Sequence, residues 1–183
     1  SSAAMASLLT LLEVVLCSLM VSSSEILPQT DFDLQTIAGK WHHIGLATNA
    51  ERIINHKDNE NGHVCDYPTT QWEFGFVIHH YNGTCRKMEK VTNKTDVPGK
   101  FRHISRSDQL LIVDVKYDEY TLTYSINTKG NETFFVNKIY RRSVDLSAEV
   151  QEKFKQFSLQ TGVLPENIFI LPKSDECQAA DAA

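Results

Sequence analysis

Between residues 41 and 141 the chain is cut into short stretches rich in apolar, β-branched and aromatic residues. They recur about every ten residues, with turn-forming residues between them. A chain patterned this way must pack one sheet on another or close a sheet on itself. The stretches are residues 41–48, 62–67, 72–81, 85–92, 100–105, 110–116, 120–127 and 132–141. Pro68-Thr69-Thr70, Tyr81-Asn82-Gly83-Thr84, Val97-Pro98-Gly99, Ser107-Asp108 and Lys129-Gly130-Asn131 punctuate them, Asn82-Gly83 being a strong hairpin signal. Residues 50–62 are polar and irregular, a long loop. The spacing predicts a sandwich or a barrel in up-and-down antiparallel order. Eight such strands can close into a barrel, which removes both sheet edges and leaves room inside for one small ligand.

The period changes only after residue 141. Val150, Phe154 and Phe157 fall at i, i+4 and i+7, which predicts a helix over 147–160 with one apolar face. Ser147 or Asp145 can cap it, Glu149 suits its first turn, and Gly162 ends it. Pro165 breaks the chain, and residues 167–171 read as a last strand. The helix is expected to cover an outer wall of the sheet.

The first 24 residues read as a secretory signal peptide with a few residues upstream of Met5. Apolar runs at 8–12 and 14–21, interrupted by Glu13, lead into Ser22-Ser23-Ser24. Residues 25–177 are expected to form one domain with a full core, and 178–183 a disordered tail. No second apolar span follows, so no membrane anchor is expected in the mature form. The net charge is -5 and basic residues do not run together, which argues against a nucleic-acid surface. Asn82-Gly83-Thr84, Asn93-Lys94-Thr95 and Asn131-Glu132-Thr133 are N-glycosylation triplets in turn-like stretches. With Cys17 in the signal segment, Cys65, Cys85 and Cys177 remain, so one pair and one leftover thiol are expected in an oxidising compartment. His42-His43 and His79-His80 are strand neighbours that point to opposite faces, so neither pair grips one ion. They read as surface or rim histidines, and no metal is expected.

Gly39-Lys40-Trp41 opens the first strand. The indole needs burial and a partner for its N–H, and the glycine permits a sharp bend or a close approach just before it. Here the chain resembles the lipocalin family. Ile37-Ala38-Gly39-Lys40-Trp41, continued by Gly45-Leu46-Ala47-Thr48-Asn49, is similar to the family's first motif. Lys116-Tyr117-Asp118-Glu119-Tyr120 is similar to the second, and Ile139-Tyr140-Arg141-Arg142 to the third. The tail, Leu164-Pro165-Glu166-Asn167-Ile168 and Lys173-Ser174-Asp175-Glu176-Cys177, fits as well, so the resemblance runs from Asp31 to Cys177.

The resemblance implies an all-β fold, an eight-stranded up-and-down antiparallel β-barrel with one C-terminal α-helix packed outside. Residues 25–177 would be the lipocalin domain. Gly39, Trp41 and Arg142 would be structural, with Trp41 plugging the closed end and Arg142 lying across its indole. Cys85 would pair with Cys177, closing a loop worth at most about 4–5 kcal/mol. Phe74, Phe76 and Ile78 alternate with Trp72 on one face. By analogy with the family Phe134, Val136, Lys138 and Tyr140 face inward, and parity on neighbouring strands adds Met88, Lys90, Leu110 and Ile112. These residues form the expected ligand-binding set, an apolar cup with Lys90, Lys138 and Tyr140 as polar handles. A lysine in such a cup favours an anionic hydrophobe.

The expected function is a secreted carrier of a small hydrophobic molecule, such as a fatty acid, retinoid or steroid. No cofactor, catalytic residue or nucleic-acid partner is called for, and no protein partner or receptor is specified. The alternative is a glutathione-requiring prostaglandin D synthase-type isomerase, since the family's enzymatic branch carries a nucleophilic cysteine near the position of Cys65. The loop over residues 50–62 would lie across the open end.

Overall fold

Alternation along the first long strand sets the architecture. In β1, Gly39–Thr48, Trp41 and His43 turn to one side and His42 to the other. A bulge at Ile44 then resets the phase, so that Leu46 returns to the side of Trp41 while Gly45 and Ala47 face away. The computed structural model describes residues 25–56, 64–67, 76–81, 84–89, 92–103 and 108–173, of which 64–67, 76–81 and 84–89 are described as backbone. After β1 come a four-residue helix α1, Glu51–Ile54, and strands β2, Val64–Tyr67, β3, Phe76–Tyr81, β4, Thr84–Glu89, and β5, Thr92–Lys94. Then follow β6, Lys100–His103, β7, Gln109–Lys116, β8, Tyr120–Lys129, and β9, Glu132–Arg141. Helix α2, Ala148–Gln160, a 3₁₀ turn at Pro165–Asn167 and β10, Ile168–Ile170, complete the described chain.

All pairings among the described residues are antiparallel, in the order β4-β3-β2-β1-β9-β8-β7-β6-β5, with β10 also on β1. The two ends of this order, β4 and β5, are separated in sequence only by residues 90 and 91. Three peptide steps span at most about 11 Å, so the last strand is tied back to the first. With β4 and β5 counted as one wall strand, the sheet is an eight-stranded up-and-down barrel. A second bulge, at Val113 of β7, adds to the bending that closure requires.

The helix covers the outer wall. Ser147 caps it, its Oγ accepting the Val150 N–H at 3.3 Å, and Gly162 follows its end with φ +83°. Val150 and Phe154 enter an apolar cluster with Ile44, Ala47, Tyr120, Leu122, Ile139 and Val163. The buried helical face continues through Ser158, while Phe157 packs only partly against the cluster. Lys153 pairs with Asp114 at 3.0 Å, and Asp114 also accepts the Tyr120 hydroxyl at 3.0 Å, pinning the helix to β7 and β8. The Asp114 carboxylate holds the Lys153 pKa above its ordinary value, with the Tyr120 hydroxyl second.

Two features differ from the sequence reading. The stretch expected as loop carries α1, whose Ile53 packs against Leu46, Val136 and Leu171. His42 and His43, expected at the surface or rim, are 9% and 1% exposed. His42 lies against a cleft on the outer wall, and His43 packs on Tyr140 at the floor, so both rings are largely covered.

Candidate functional site

The closed end is built first. Trp41 is fully buried, and its indole N–H donates to the Ile37 carbonyl at 2.8 Å. Arg142, one residue past β9, places its Cζ 3.9 Å from the Trp41 ring centroid. Its Nε donates to Tyr117 O at 3.0 Å, Nη1 to Lys40 O at 3.0 Å and Nη2 to Ala38 O at 2.8 Å. Burial pulls the guanidinium pKa below its ordinary value, but these carbonyls satisfy its donors and it stays charged. Gly39 has φ +95°, and a Cβ there would lie 3.3 Å from Arg142 Nη1. Only glycine suits both the backbone and the arginine. Ile37, Phe101, Ile112, Val115 and Tyr140 pack round Trp41, with Phe32 edge-on to Phe101 at 5.8 Å. This end is sealed.

Above it, strand register stacks the inward side chains of β7, β8, β9 and β1 in layers. The lowest holds Val115, Thr121, Tyr140 and His43, all buried, with the His43 and Tyr140 rings 5.1 Å apart. The next holds Ile112, Thr123, Lys138 and Leu46. Ile112, Thr123 and Leu46 are buried there, while Lys138 is half-buried. The third holds Leu110, Ser125, Val136 and Thr48, of which Leu110 and Ser125 are half-buried. At the top, Asn127 faces Phe134 and both are half-buried. Packing therefore loosens from floor to mouth. Alternation places Lys138 inward, because Asn137 bonds Thr161 at the helix end at 2.6 Å and Ile139 packs under the helix. The wall is a mixed one, since Thr121, Thr123 and Ser125 line it beside the apolar residues.

Of the expected ligand set, the structure thus brings Leu110, Ile112, Phe134, Val136, Lys138 and Tyr140 onto one inner wall. Ile112 and Tyr140 belong to the sealed floor cluster, Leu110 packs against it, and Phe134, Val136 and Lys138 stand above it. Phe76, Ile78 and Met88 are on β3 and β4, whose side chains lie outside the described residues, as do Phe74 and Lys90. Cys65 is opposite Trp41 in the β1–β2 register and Cys85 is opposite His80 in the β3–β4 register. Their side chains, Cys177 and Asn82 lie outside the described residues, so the disulfide does too. Sequence reasoning missed His43, Leu46, Thr48, Thr121, Thr123 and Ser125. The signal that finds them is register against β9 once Lys138 and Tyr140 are placed inward.

The mouth side of β1 is held by side chains. Thr48 Oγ1 donates to Phe135 O at 2.7 Å, and Asn49 Oδ1 accepts the Phe135 N–H at 2.9 Å. These two bonds fix where the segment carrying α1 leaves the wall. A separate cleft of about 330 Å³ lies outside the barrel, between His42 and Ile44 of β1, residues 144–146 and residues 170–173. The Asp145–Lys173 pair, 2.9 Å, stands among its lining residues.

A family model described as the lipocalin / cytosolic fatty-acid binding protein family matches residues 38–175. The chain is 35% identical over 159 residues to a protein called lipocalin from Rhinella marina, covering 82% of this chain and 86% of that one. It is 32% identical over 158 residues to major urinary protein 20 of Mus musculus, covering 83% and 85% of the two chains. It is 26% identical over 175 residues to a salivary lipocalin of Sus scrofa, covering 93% and 90%. A solved structure of the siderocalin Ex-FABP, described as functioning through dual ligand specificities, matches with a TM-score of 0.71 at 20% identity. It covers 78% of this chain and 99% of that one, a likeness of fold.

Proposed function

The chain belongs to the lipocalin family, and from that premise we propose that it is a secreted carrier whose ligand is a small hydrophobic molecule with an anionic end, held inside the barrel with that end at Lys138. Family and barrel together support binding of a small hydrophobic ligand. The similar urinary and salivary proteins are named for body fluids, which fits the apolar leader over residues 1–24 and supports secretion.

The observation that carries the ligand reading is the second layer of the inner wall. Lys138 stands there between Leu46 and Thr123, which are 2% and 3% exposed, while Lys138 itself is only half-buried. It is a cation on this inner wall among the described residues, and Leu110, Ser125, Asn127 and Phe134 above it are half-buried. A ligand entering with its acidic end first would bring that end down to Lys138, just above the Trp41 floor cluster, with its apolar body in the space above. Its apolar body would gain about 25 cal/mol per Å² removed from water, before ordering costs. An acidic group would meet Lys138, with the Thr123 and Ser125 hydroxyls on the same strand face. Ile53 of α1, packed on Leu46 and Val136, places that segment beside the mouth, where it would regulate access.

The test is displacement of a fluorescent fatty acid by unlabelled fatty acids, retinoids and steroids. Lys138→Gln is expected to weaken a carboxylate ligand about 10- to 100-fold, the loss of one charged hydrogen bond. It should leave the methyl ester of the same ligand within about threefold, since the ester never used the charge. Equal weakening of acid and ester would remove the anionic reading, and no displacement by any of the three classes would remove the carrier reading.

A further inference from the structure

The tip of the β8–β9 hairpin carries a motif that ligand binding does not use. Residues 128–133 are exposed without interruption, three on each side of the turn. Gly130 takes φ +64° and has nothing within 4 Å of the position where a Cβ would stand, so the tip projects into open solvent. Asn131, Glu132 and Thr133 lie on this projection. Neither the Asn131 amide nor the Thr133 hydroxyl forms a side-chain hydrogen bond among the described residues.

The other described triplet is placed differently. Asn93 is exposed on β5, opposite Arg102 in the ladder. Its Thr95 is tied into the following turn: Oγ1 donates to Lys100 O at 3.0 Å and accepts the Val97 N–H at 3.2 Å. Glycan transfer to an Asn-x-Thr triplet needs the asparagine amide and the threonine hydroxyl to be presented together. Both are open at the hairpin tip, whereas at β5 the hydroxyl is held by the local turn.

We propose that Asn131 is an N-glycosylation site, and that its glycan stands at the open end of the barrel. The placement follows from topology. Trp41, Val115, Tyr120 and Arg141 mark the closed end of β1, β7, β8 and β9, so the β8–β9 turn is at the opposite end. A glycan there would touch neither the floor nor the helix-covered wall. The chemistry is transfer of a preassembled oligosaccharide from a lipid-linked diphosphate donor to the Asn131 amide nitrogen. An N–C glycosidic bond forms, the amide gives up a proton, and the lipid diphosphate leaves. The inference rests on the secretory route proposed above.

The experiment expresses the full chain in cultured mammalian cells and collects medium and lysate separately. Secreted protein is treated with peptide N-glycosidase in heavy-oxygen water, which converts a glycosylated asparagine to labelled aspartate, and is mapped by peptide mass spectrometry. Label at Asn131, lost in Thr133→Ala and kept in Thr133→Ser, is the expected result. The Ser variant preserves the triplet, so label that persists in Thr133→Ala would show spontaneous deamidation rather than a glycan and would overturn the assignment. Secreted protein unlabelled at Asn131, whether or not Asn93 is labelled, would also overturn it while leaving the carrier reading intact. Unmodified protein confined to the lysate would overturn the site and secretion together. Fatty-acid displacement with the same preparation shows separately whether the barrel binds ligand.

Discussion

Arg142 and Trp41 show how much a single pair does for this fold. The guanidinium is a cation on the indole face and a donor to four carbonyls, those of Ile37, Ala38, Lys40 and Tyr117. Arg142→Met keeps much of the stem but leaves those carbonyls without that donor, and should cost about 2–4 kcal/mol in urea unfolding. A loss under about 0.5 kcal/mol would mean that water replaces the guanidinium freely. Trp41→Ala removes the centre of the floor cluster and should cost about 3–5 kcal/mol by the same measurement. Gly45 offers a sharper case, because the small residue in the opening motif has a steric cause. A Cβ there would lie 2.8 Å from Ile139 Cγ2 and 2.9 Å from Phe154 Cε1. Gly45→Ala should therefore cost about 1–3 kcal/mol through overpacking, although alanine suits a strand better than glycine. A stabilised variant would show that the helix shifts at no cost. Such residues are legible in sequence as motifs, but their reasons become visible only when distant segments meet.

Strand β8 shows where sequence legibility stops at the level of elements. Its pattern reads Tyr120, Leu122, Tyr124 and Ile126 on one face, and Thr121, Thr123, Ser125 and Asn127 on the other. A simple rule would turn the apolar face inward. The structure does the reverse for Tyr120 and Leu122, because α2 makes the outside of this wall a dry core. The threonines then line the interior. The helix itself was legible, since its 3.6-residue period, Ser147 cap and terminal glycine are local signals. What it covers was not, because that depends on register between β1, β7, β8 and β9. The same cause hid the burial of His42 and His43. Phe154, fully buried between helix and wall, is the contact on which this inversion depends. Phe154→Ala should cost about 3–5 kcal/mol and loosen α2, read as lower equilibrium stability and faster amide exchange in residues 148–160. Unchanged exchange there would place the helix's anchor elsewhere.

Over the molecule as a whole, the described residues pack apolar clusters on both sides of the barrel wall. The core under α2 and the floor around Trp41 are closed and give stability. The space above the floor is left incompletely packed on the side described by β7, β8, β9 and β1, and Lys138 stands at its lower edge. Alternating short strands made an eight-stranded closure readable from sequence, and the three motifs fixed its family. The depth at which the interior stops being solid was not readable, because Ile112 and Tyr140 look like wall residues until the floor cluster claims them. A ligand inside the barrel would sit above that floor. Ser125, inward and half-buried between Leu110 and Val136, is the place to fill it. The direct measurement is fluorescent fatty-acid binding by Ser125→Trp beside the wild type, each checked for folding by circular dichroism and thermal melting. The indole is expected to occupy the ligand's space, so a folded variant loses binding at least about 100-fold. A folded variant that binds as tightly as the wild type would place the ligand outside the barrel and contradict it.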